Sequence, residues 1–475
     1  MSVDWEQLAH ERAVEIDALR HENADLKARI AALEEHVGQN PRNSSMPPSK
    51  EGLAKPPTQN RKARRQAQRR SGKQPGAEGH RLEQVDDPDE VVLHTPDHCG
   101  ACGRDLGDAP VTGAETRQVF DLPRIRPLVT EHHLQVRRCA CGETTKARAP
   151  AEATAPTCYG PGVRGLVVYL AVFQHLPYDR MRRLLVDVMG TDIAEGTLVG
   201  IVKEAGGALG VFSQVVADLL RRAPAVHFDE TGARVDGSLH WVHGASTALY
   251  TFLHCDKKRG RVAMEAMGVI QAMGGVAVHD GWSPYRSFDV VHALCNAHHV
   301  RELQGVIDNL DQIWAEQLID LLVEMKVAVD EAKAKGADAL DKSVLHSMRI
   351  RYGRLVKEGE RHNPVEGSSL YTGAKKKAYN LLLRLDARRD DVLRFMTNFD
   401  VAWDNNQAER DIRMVKLQQK ISGSWRTLGG AEGFCAIRSY ISTMKKHDAD
   451  VLDGLRGIFT GNIWLPPTPT ADPSA

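Results

Sequence analysis

A run of strand-like segments after Pro224 is the sequence feature that most constrains the fold. Apolar and polar residues alternate in AVHFDETGARV, SLHWVHGAST and LYTFLHCD, and a fourth segment, GGVAVHDGWSPY, follows a helical stretch at Gly260–Met273. Such alternation predicts strands, and the small residues between the second and third segments predict a hairpin. The region is therefore predicted to be a mixed α/β unit.

Two of these strands carry an aspartate. Asp229 follows an apolar run within the first strand, and Asp280 follows Val276-Ala277-Val278-His279 at the carboxyl end of the fourth. Burying an acidic side chain there is costly unless it is paired, protonated or bound to a metal. Asp229 alone is more simply explained by a turn or cap, but a pair on neighbouring strands predicts a cation site.

A third carboxylate is expected later in the chain, because three can hold two Mg²⁺ (or Mn²⁺) about 3.5–4 Å apart. The helical segment WDNNQAERDIRMVK offers Asp404, Glu409 and Asp411. Asn405, Glu409 and Arg413 share one helix face, and Glu409 is the favoured ligand. Residues 303–400, rich in Leu, Ala, Lys, Glu and Asp, lack strand-like alternation and predict a helical insertion before it.

Two cysteine pairs predict a zinc site. Cys99 and Cys102 lie in HCGACGRDL, and Cys139 and Cys141 lie in CACGE, each pair being followed by a glycine that lets backbone amides turn toward the thiolates. Nearby histidines remain alternative ligands: His94, His98, His132 and His133. Four protein ligands leave no open position, so Zn²⁺ is expected to fold a small β-ribbon.

Heptad spacing in the first 40 residues predicts a coiled coil. The a positions of the heptad are Ala9, Ile16, Asn23, Ile30 and Val37, and the d positions are Trp5, Arg12, Leu19, Leu26 and Leu33. A single Asn at an a position favours a two-stranded parallel coil in fixed register. The alternative is a helix that packs on its own chain.

The charge of the chain is segregated along the sequence. Basic and acidic residues number 62 each, yet residues 42–81 contain eleven Lys or Arg and only two Glu, a net charge of +9. This stretch has few large apolar residues and is predicted to be disordered. Its basic run is expected to bind DNA phosphates without sequence preference, the alternative being a solvated linker; the run comprises Arg61, Lys62, Arg64, Arg65, Arg69 and Arg70.

Residues 160–206 show three short helical patterns. The turn GTDIAEGT and the helix after it are typical of a helix-turn-helix, whose last helix enters the major groove. Glu195 and Thr197 favour a helix start at this point. Ordinary core helices give the same apolar spacing, so DNA reading here is one of two interpretations.

The chain contains no apolar stretch approaching the about 18 residues that span a bilayer. Its charged N-terminus lacks the apolar core of a signal peptide. We therefore expect a cytoplasmic, nucleoid-associated protein with no membrane partner, whose eight cysteines are free thiols or metal ligands.

These motifs together resemble the insertion-sequence 66 family of bacterial transposases. The resemblance extends over nearly the whole chain: NSSMPPSK, GKQPGAEGH, the two cysteine pairs, HFDETGARVDG, HDGWSPY, CNAHHVREL, DNNQAERDIRMVK and LGGAEGFCAIRSYISTMKKH. It implies an RNase H-like core with a DDE triad of Asp229, Asp280 and Glu409. It also implies metal-dependent cleavage at the element ends and strand transfer into target DNA.

The resemblance further implies partners and secondary residues. The partners are double-stranded DNA (terminal repeats and target), a second copy of the chain or a higher oligomer, and accessory proteins of the same element. Arg410, Arg413 and Lys416 are expected to contact phosphates. His298, Arg301 and Asn405 are expected to support the metal ligands from outside, without being among the ligands themselves.

The CxxAHxxR-like element departs from the family pattern. It appears as Cys295, His298 and Arg301, with an additional His299. His298 either contacts the scissile phosphate or a metal, or begins a helix structurally. A separate, adventitious metal site of His292, Cys295, His298 and His299 is a further alternative. Ser422–Trp425 also replaces the glycine-rich approach expected before LGGAEG.

At about 100–200 residues per domain, 475 residues predict several units. The predicted fold class is multidomain α/β: an RNase H-like mixed-sheet core with a large helical insertion, preceded by a coiled coil, a zinc ribbon and a small helical domain. The predicted boundaries are 1–40 coiled coil for dimerisation, 41–85 basic linker, 86–150 zinc-binding β-ribbon, 156–222 helical helix-turn-helix-like domain, 223–302 first part of the core, 303–400 helical insertion, 401–460 last part of the core and 461–475 disordered tail.

Two other functions fit the same motifs. A non-catalytic zinc-containing DNA-binding regulator or architectural protein would retain the zipper, basic arm and ribbon, but it has no reason to place Asp229 and Asp280 on apolar strands. A nuclease without strand transfer shares every catalytic residue and differs only in whether the freed 3′-hydroxyl is used.

The coiled-coil interpretation predicts a dimer in solution. Light scattering is expected to give the mass of two chains for the full-length protein, and of one chain after removal of residues 1–40, because the a and d contacts are lost. A mass of one chain for protein that retains residues 1–40 would contradict it.

Overall fold

The computed structural model describes residues 16, 17, 19, 20, 22, 81–364 and 373–467. The chain divides into two units by its internal contacts, residues 53–126 and residues 1–52 with 127–475. The predicted coiled coil is described at only five residues, which are helical. The basic run at 61–70 lies outside the described residues.

In the smaller unit, the described residues 81–126 form little regular structure. One isolated β-bridge joins His98 to Asp105. Where paired strands were expected, hydrogen bonds from a side chain to the backbone are found instead of backbone hydrogen bonds between strands. Gln118 donates from Nε2 to the Val85 carbonyl (2.7 Å) and accepts from the Val85 amide (2.8 Å). The predicted β-ribbon is therefore mostly absent from the described part of this unit. Pro123 offers one reason, since proline cannot donate to a ladder.

In the larger unit, the ribbon is reduced to one short antiparallel hairpin around Cys139. Its strands are β1 (Val136–Arg138) and β2 (Thr144–Lys146). The alternating sequence before Val136, in which strands were also expected, contains no assigned strand.

A helical region precedes the main sheet. Its helices are α1 (Pro161–Val168), continued by a π-helical turn at Tyr169–Phe173, α2 (Tyr178–Met189), α3 (Glu195–Ala208) and α4 (Gly210–Arg222). Helix α3 begins where Glu195 was expected to start it. Its buried residues Leu198, Ile201 and Ala205 face the core, so at least one face of the helix-turn-helix-like segment serves packing.

The main sheet has five strands in the spatial order β5-β4-β3-β6-β7. The strands are β3 (Ala225–Val235), β4 (Ser238–Ser246), β5 (Thr251–Asp256), β6 (Val276–His279) and β7 (Val291–Leu294). Strands β3, β4 and β5 are antiparallel, whereas β6 pairs parallel to β3 and β7 pairs parallel to β6. The predicted mixed α/β character is confirmed.

Turn chemistry sets the strand connections. Asp236 and Gly237, with φ of 47° and 68°, make the tight turn between β3 and β4, the conformation that Asp-Gly favours in two-residue hairpins. The helix expected at Gly260–Met273 is shorter: α5 (Arg261–Met267) ends at Gly268, whose φ is 76°. A left-handed glycine at this position terminates the helix, and a 3₁₀ turn at Ile270–Ala272 follows.

The described residues of the predicted insertion form helices joined by loops, with no strand among them. It contains α6 (Asn296–Leu310), α7 (Ile313–Ala334), α8 (Lys342–His362), α9 (Ala374–Ala387), α10 (Arg389–Val392) and a 3₁₀ turn at Arg394–Met396. These helices bury their own apolar cluster around Trp314, Leu322 and Tyr352.

The sheet separates two apolar clusters. Val276 and Val278 face the cluster of the insertion, while Ala277 faces the cluster formed with α1–α4 and the C-terminal helices. This alternation follows from the two-residue period of a strand. The C-terminal helices are α11 (Asn406–Ser422), α12 (Leu428–Lys446) and α13 (Val451–Ile458).

Helix α11 packs on β3 and β4, and α12 packs on β5. The two helices are joined by the ion pair between Asp411 and Lys446 (2.7 Å). Lys446 also donates to the carbonyls of Thr247 and Tyr250. Because four acceptors, including the Thr251 hydroxyl, surround this half-buried ammonium, the contact is structural.

Among the described residues, no single helix combines the length and apolar composition needed to span a membrane. Helices α3 and α4 meet those criteria only as a pair that is bent by 45°.

The contact between α3 and α12 predicts opposite effects for two glycines of α3. A Cβ on Gly206 would lie 2.7 Å from the Cα of Gly433, whereas a Cβ on Gly200 meets nothing within 4 Å. Gly206→Ala is expected to destabilise the protein by about 1–3 kcal/mol through overpacking. Gly200→Ala, the matched control, is expected to stabilise it by about 0.5–1 kcal/mol. Urea unfolding monitored by circular dichroism measures both; equal midpoints would contradict the packing assignment.

Candidate functional site

Asp229 lies on β3, and Asp280 directly follows the neighbouring parallel strand β6. The ladder between β3 and β6 ends with His227 opposite Val278, and continuing its register by two residues brings Asp229 level with Asp280. Each carboxylate is oriented by a backbone amide: Asp229 Oδ1 accepts from Glu230 (2.9 Å), and Asp280 Oδ1 accepts from Trp282 (2.8 Å). The structure thus brings the two aspartates together at one level of the sheet.

Glu409 reaches the same place from the first turn of α11. Asn405, which precedes the helix and is 1% exposed, fixes that turn. Its side-chain amide donates to the Phe228 carbonyl (2.7 Å), and its Oδ1 accepts from His227 Nδ1 (3.0 Å). The start of the helix is therefore bonded to β3 immediately before Asp229.

Burial and like charges dominate the electrostatics. Burial, then Glu230, Asp280 and Glu409 in that order raise the pKa of Asp229 well above its ordinary value. Within the described ranges, neither Asp229 nor Asp280 forms an ion pair with a lysine or arginine. Hard carboxylate oxygens are the donor type that Mg²⁺ or Mn²⁺ prefers. In the described structure, however, the oxygens of the three carboxylates Asp229, Asp280 and Glu409 do not all lie within 4.8 Å of one another.

A fourth carboxylate, Glu230, is neutralised by its own partners. Its Oε1 accepts from Arg259 Nη2 (2.8 Å), and its Oε2 accepts from the Tyr285 hydroxyl (2.8 Å). The guanidinium of Arg259 lies 4.6 Å from the ring centroid of Trp241 and 4.0 Å from that of Trp282. Sequence reasoning missed this network because Glu230 adjoins Asp229 on the strand and its partners come from separate loops.

Glu409 is held by residues at the start of α6. Arg301 Nη2 lies 3.1 Å from Glu409 Oε1, and His298 Nε2 lies 3.7 Å from the same oxygen. Burial, with Arg301 and Arg384, lowers the pKa of His298 to about 3, so this imidazole is neutral at pH 7. The residues expected to support the site, Asn405, His298 and Arg301, all lie around Glu409 or its helix.

The alternative metal site of four residues is not assembled in the described structure. His292 Nδ1 lies 3.0 Å from His279 Nε2, and His299 Nδ1 lies 3.2 Å from Asn296. Cys295 and His298 instead form a possible ligand group with Glu409. Burial raises the pKa of Cys295 to about 12, and its sulfur accepts from the Asn405 amide (3.1 Å), which favours a structural thiol.

The other carboxylates of the Glu409 segment have structural partners. Asp411 pairs with Lys446, and Asp404 accepts hydrogen bonds from Asn406. The basic residues beside them differ in accessibility. Arg410 and Arg413 are exposed, while Lys416 donates to the Gly232 carbonyl on β3.

Both cysteine pairs sit in tight turns. Backbone amides lower the pKa of Cys99, that of Ala101 contributing most, and the amide of Cys141 lowers the pKa of Cys139. Gly103 (φ 71°) and Gly142 (φ 95°) supply the left-handed conformation that follows each pair. Amides directed at thiolates suit a metal-bound sulfur.

Comparison with protein families identifies the chain. A family model described as "Transposase IS66 family" matches residues 156–433, more than half of the sequence. The chain belongs to the IS66 family of transposases. The matched range of the transposase includes Asp229, Asp280, Glu409 and the helical insertion.

Two further family models match the N-terminal part of the transposase. The zinc-finger binding domain of transposase IS66 matches residues 96–142, a range that contains all four cysteines of the two pairs. A family of unknown function, DUF6444, matches residues 4–83. No curated protein matches the chain. The transposase therefore carries a zinc-finger domain that begins before the region matched by the transposase family model.

The raised pKa of Asp229 predicts a pH-dependent effect of its removal. Unfolded aspartate titrates near about 3.9, so the unfolded chain loses this proton first as pH rises, and the folded state is then destabilised. Without Mg²⁺ or Mn²⁺, Asp229→Asn is expected to raise the melting temperature at pH 7. The rise should be about 2–4 °C for each kcal/mol gained in the free energy of unfolding. The difference is expected to vanish below about pH 4.

Asp411→Asn is the control for that measurement. It removes the carboxylate partner of Lys446 and is expected to lower the melting temperature, because a buried charge then loses its counterion. A lower melting temperature for Asp229→Asn at pH 7 would contradict the electrostatic assignment.

Proposed function

We propose that this transposase cleaves DNA at the element ends and transfers the strands to target DNA through a DDE site of Asp229, Asp280 and Glu409. The observation that carries the proposal is the convergence of three carboxylates. Asp229 and the residue after β6, Asp280, lie level in the sheet, and burial followed by the charges of Glu230, Asp280 and Glu409 raises the pKa of Asp229. Family membership supports the same reading.

The proposed cofactors are two Mg²⁺ (or Mn²⁺) per active site, held by Asp229, Asp280 and Glu409. When bound, such cations neutralise the carboxylates and stabilise charge on the attacking and leaving oxygens. Arg301 keeps Glu409 directed at the site. Asn405 bonds the start of the Glu409 helix to β3, and Arg259 and Tyr285 occupy the oxygens of Glu230.

The proposed reaction has two chemically similar steps. A water oxygen attacks the phosphorus at the element end, the 3′-oxygen leaves, and a 3′-hydroxyl and a 5′-phosphate result. That 3′-hydroxyl then attacks a phosphodiester of the target in line, and the target's 3′-oxygen leaves. Neither step forms a covalent bond between DNA and protein. In both steps the DNA strand has to be held beside the carboxylates.

The architecture supports an RNase H-like core as part of the proposal. Three antiparallel strands continue into two parallel ones, and the central strand carries the first aspartate. Because the last carboxylate returns on a helix that packs against this strand, the intervening helices can vary without moving the triad. The helical insertion occupies that place in the chain.

DNA and zinc complete the proposal. Exposed Arg410 and Arg413, with Lys416, would contact phosphates near the triad, and the basic run at 61–70 would bind flanking duplex. Structural Zn²⁺ would be bound by Cys99, Cys102, Cys139 and Cys141, as the zinc-finger match and the amide-stabilised thiolates support. Dimerisation through residues 1–40 would bring the two ends of the element together. Accessory proteins of the same element would be further partners.

Removing single triad charges tests the proposal. Asp229→Asn, Asp280→Asn and Glu409→Gln keep shape and are expected to abolish nicking and joining of a labelled duplex carrying the element's own end. The loss of cleavage activity should exceed the roughly 10- to 100-fold loss that follows removal of a residue that only hydrogen-bonds to a metal ligand. Binding of the same duplex without Mg²⁺ should persist.

Asp404→Asn is the matched control. Within the part of the chain that the structure describes, this neighbouring carboxylate bonds only to Asn406, and the asparagine amide keeps an acceptor oxygen. It should retain cleavage. Binding without cleavage by the wild-type protein, with its accessory proteins present, would instead favour the non-catalytic regulator.

A further inference from the structure

The helical insertion approaches the carboxylate cluster through one arginine of α9. A Cβ on Gly281, the residue after Asp280, would lie 3.7 Å from the Cδ of Arg384. Gly281 has a φ of 92°, so the loop leaving β6 turns sharply beside this side chain. Arg384 therefore lies next to the backbone that positions Asp280, although about a hundred residues separate them in sequence.

The same arginine acts on the histidines near Glu409. Burial lowers the pKa of His298, with further contributions from Arg301 and then Arg384. Burial and then Arg384 lower the pKa of His299. The guanidinium thus lies within electrostatic reach of both sides of the site, the Asp280 loop and the start of α6.

The hydrogen bonds of Arg384 are incomplete. Its Nη2 pairs with Glu302, while its Nε is buried and has no hydrogen-bond partner in the described part of the chain. A guanidinium carries five N–H donors, and leaving a buried donor unsatisfied is costly. The side chain remains 21% exposed, so an acceptor from solvent can approach its end.

The other two arginines of the site are committed to its own carboxylates. Arg259 bonds Glu230 and lies between two tryptophans. Arg301 bonds Glu409 and the Ala297 carbonyl. Arg384 differs because its partner, Glu302, lies outside the carboxylate cluster.

We propose that Arg384 binds a phosphate of the DNA strand that enters the active site, an inference that rests on the proposed function. A strand approaching Asp229 and Asp280, which form no ion pair with a lysine or arginine in the described chain, is repelled by their carboxylates, and a cation at the edge of the site would offset this repulsion. Arginine suits that role, since its planar fork binds phosphate oxygens in pairs. The insertion thereby supplies a substrate-positioning residue.

A purely structural explanation exists and makes a different prediction. If Arg384 only tethers α9 to α6 through Glu302, removing either partner of the ion pair should have the same effect. If Arg384 binds DNA, Glu302→Gln should be tolerated, because it releases the guanidinium for phosphate, whereas Arg384→Gln should not. The two members of the pair therefore separate the explanations.

The experiment uses full-length protein and a duplex carrying the element's own end. The variants are Arg384→Gln, Arg384→Lys and Glu302→Gln. The matched control is Arg351→Gln, which breaks an ion pair of the same insertion with Glu324 (2.7 Å). Affinity is measured against salt concentration without Mg²⁺, cleavage rate is measured with Mg²⁺, and melting temperature is followed for every variant.

Arg384→Gln is expected to reduce the slope of log affinity against log salt by about one, and to slow cleavage by about 10- to 100-fold. Arg384→Lys should keep the salt slope but recover only part of the rate, because it lacks the planar fork. Glu302→Gln and Arg351→Gln should keep both the slope and the rate.

Two results would overturn the assignment. One is an unchanged salt slope in Arg384→Gln; the other is an equal loss of cleavage and melting temperature in Arg384→Gln and Glu302→Gln. Failure of the proposed function is distinguishable, since it appears as wild-type protein that never cleaves or as Asp229→Asn that still does. The salt slope measured without Mg²⁺ tests Arg384 in either case.

Discussion

The parallel pairing of β3 with β6 is the constraint on which the site depends. It places Asp229 level with Asp280 in a sheet that is covered by apolar clusters on both faces, where two like charges raise the cost of folding. Without a cation this arrangement opposes stability, as the raised pKa of Asp229 indicates. Proteins retain such strain at functional sites, and here it is concentrated where phosphodiester chemistry is proposed.

The third carboxylate has to be brought back to this pair from 129 residues further along the chain. The structure achieves this with neutral hydrogen bonds. Asn405 joins β3 by its side chain and the Cys295 sulfur by its backbone amide, so the start of α11 is bonded to β3 and to the residue before α6 at one point. The Asp411–Lys446 pair then fixes the same helix to α12. Glu409 can therefore remain in position while the helices of the insertion form a separate core.

Local signals predicted much of this arrangement. The bounds of β3 follow from alternation that ends at the Asp236-Gly237 turn, and the helical insertion follows from composition without strand-like alternation. Strand β7 was not predicted because Val291–Leu294 is only four residues long and is followed almost at once by helix α6, so it shows little alternation of its own. The extended β-ribbon was overestimated, since alternation alone does not reveal that Gln118 replaces a ladder with side-chain bonds. Long-range partners such as Arg259 for Glu230, and Arg384 beside Gly281, carry no local signature, because only the folded chain brings them together.

The positions of the arginines around the carboxylates determine where negative charge remains in the site. Arg259 comes from the loop after β5, Arg301 from α6 and Arg384 from α9, and each pairs with a glutamate: Glu230, Glu409 and Glu302 respectively. In the described chain, none of these arginines pairs with Asp229 or Asp280, so negative charge remains concentrated on the two strand aspartates. In the proposed function, a divalent cation would be attracted to that point, and the surrounding arginines would offset the repulsion of a phosphate backbone. The helices between the second and third carboxylates are thus more than a spacer, because α6 and α9 carry two of the three arginines, Arg301 and Arg384.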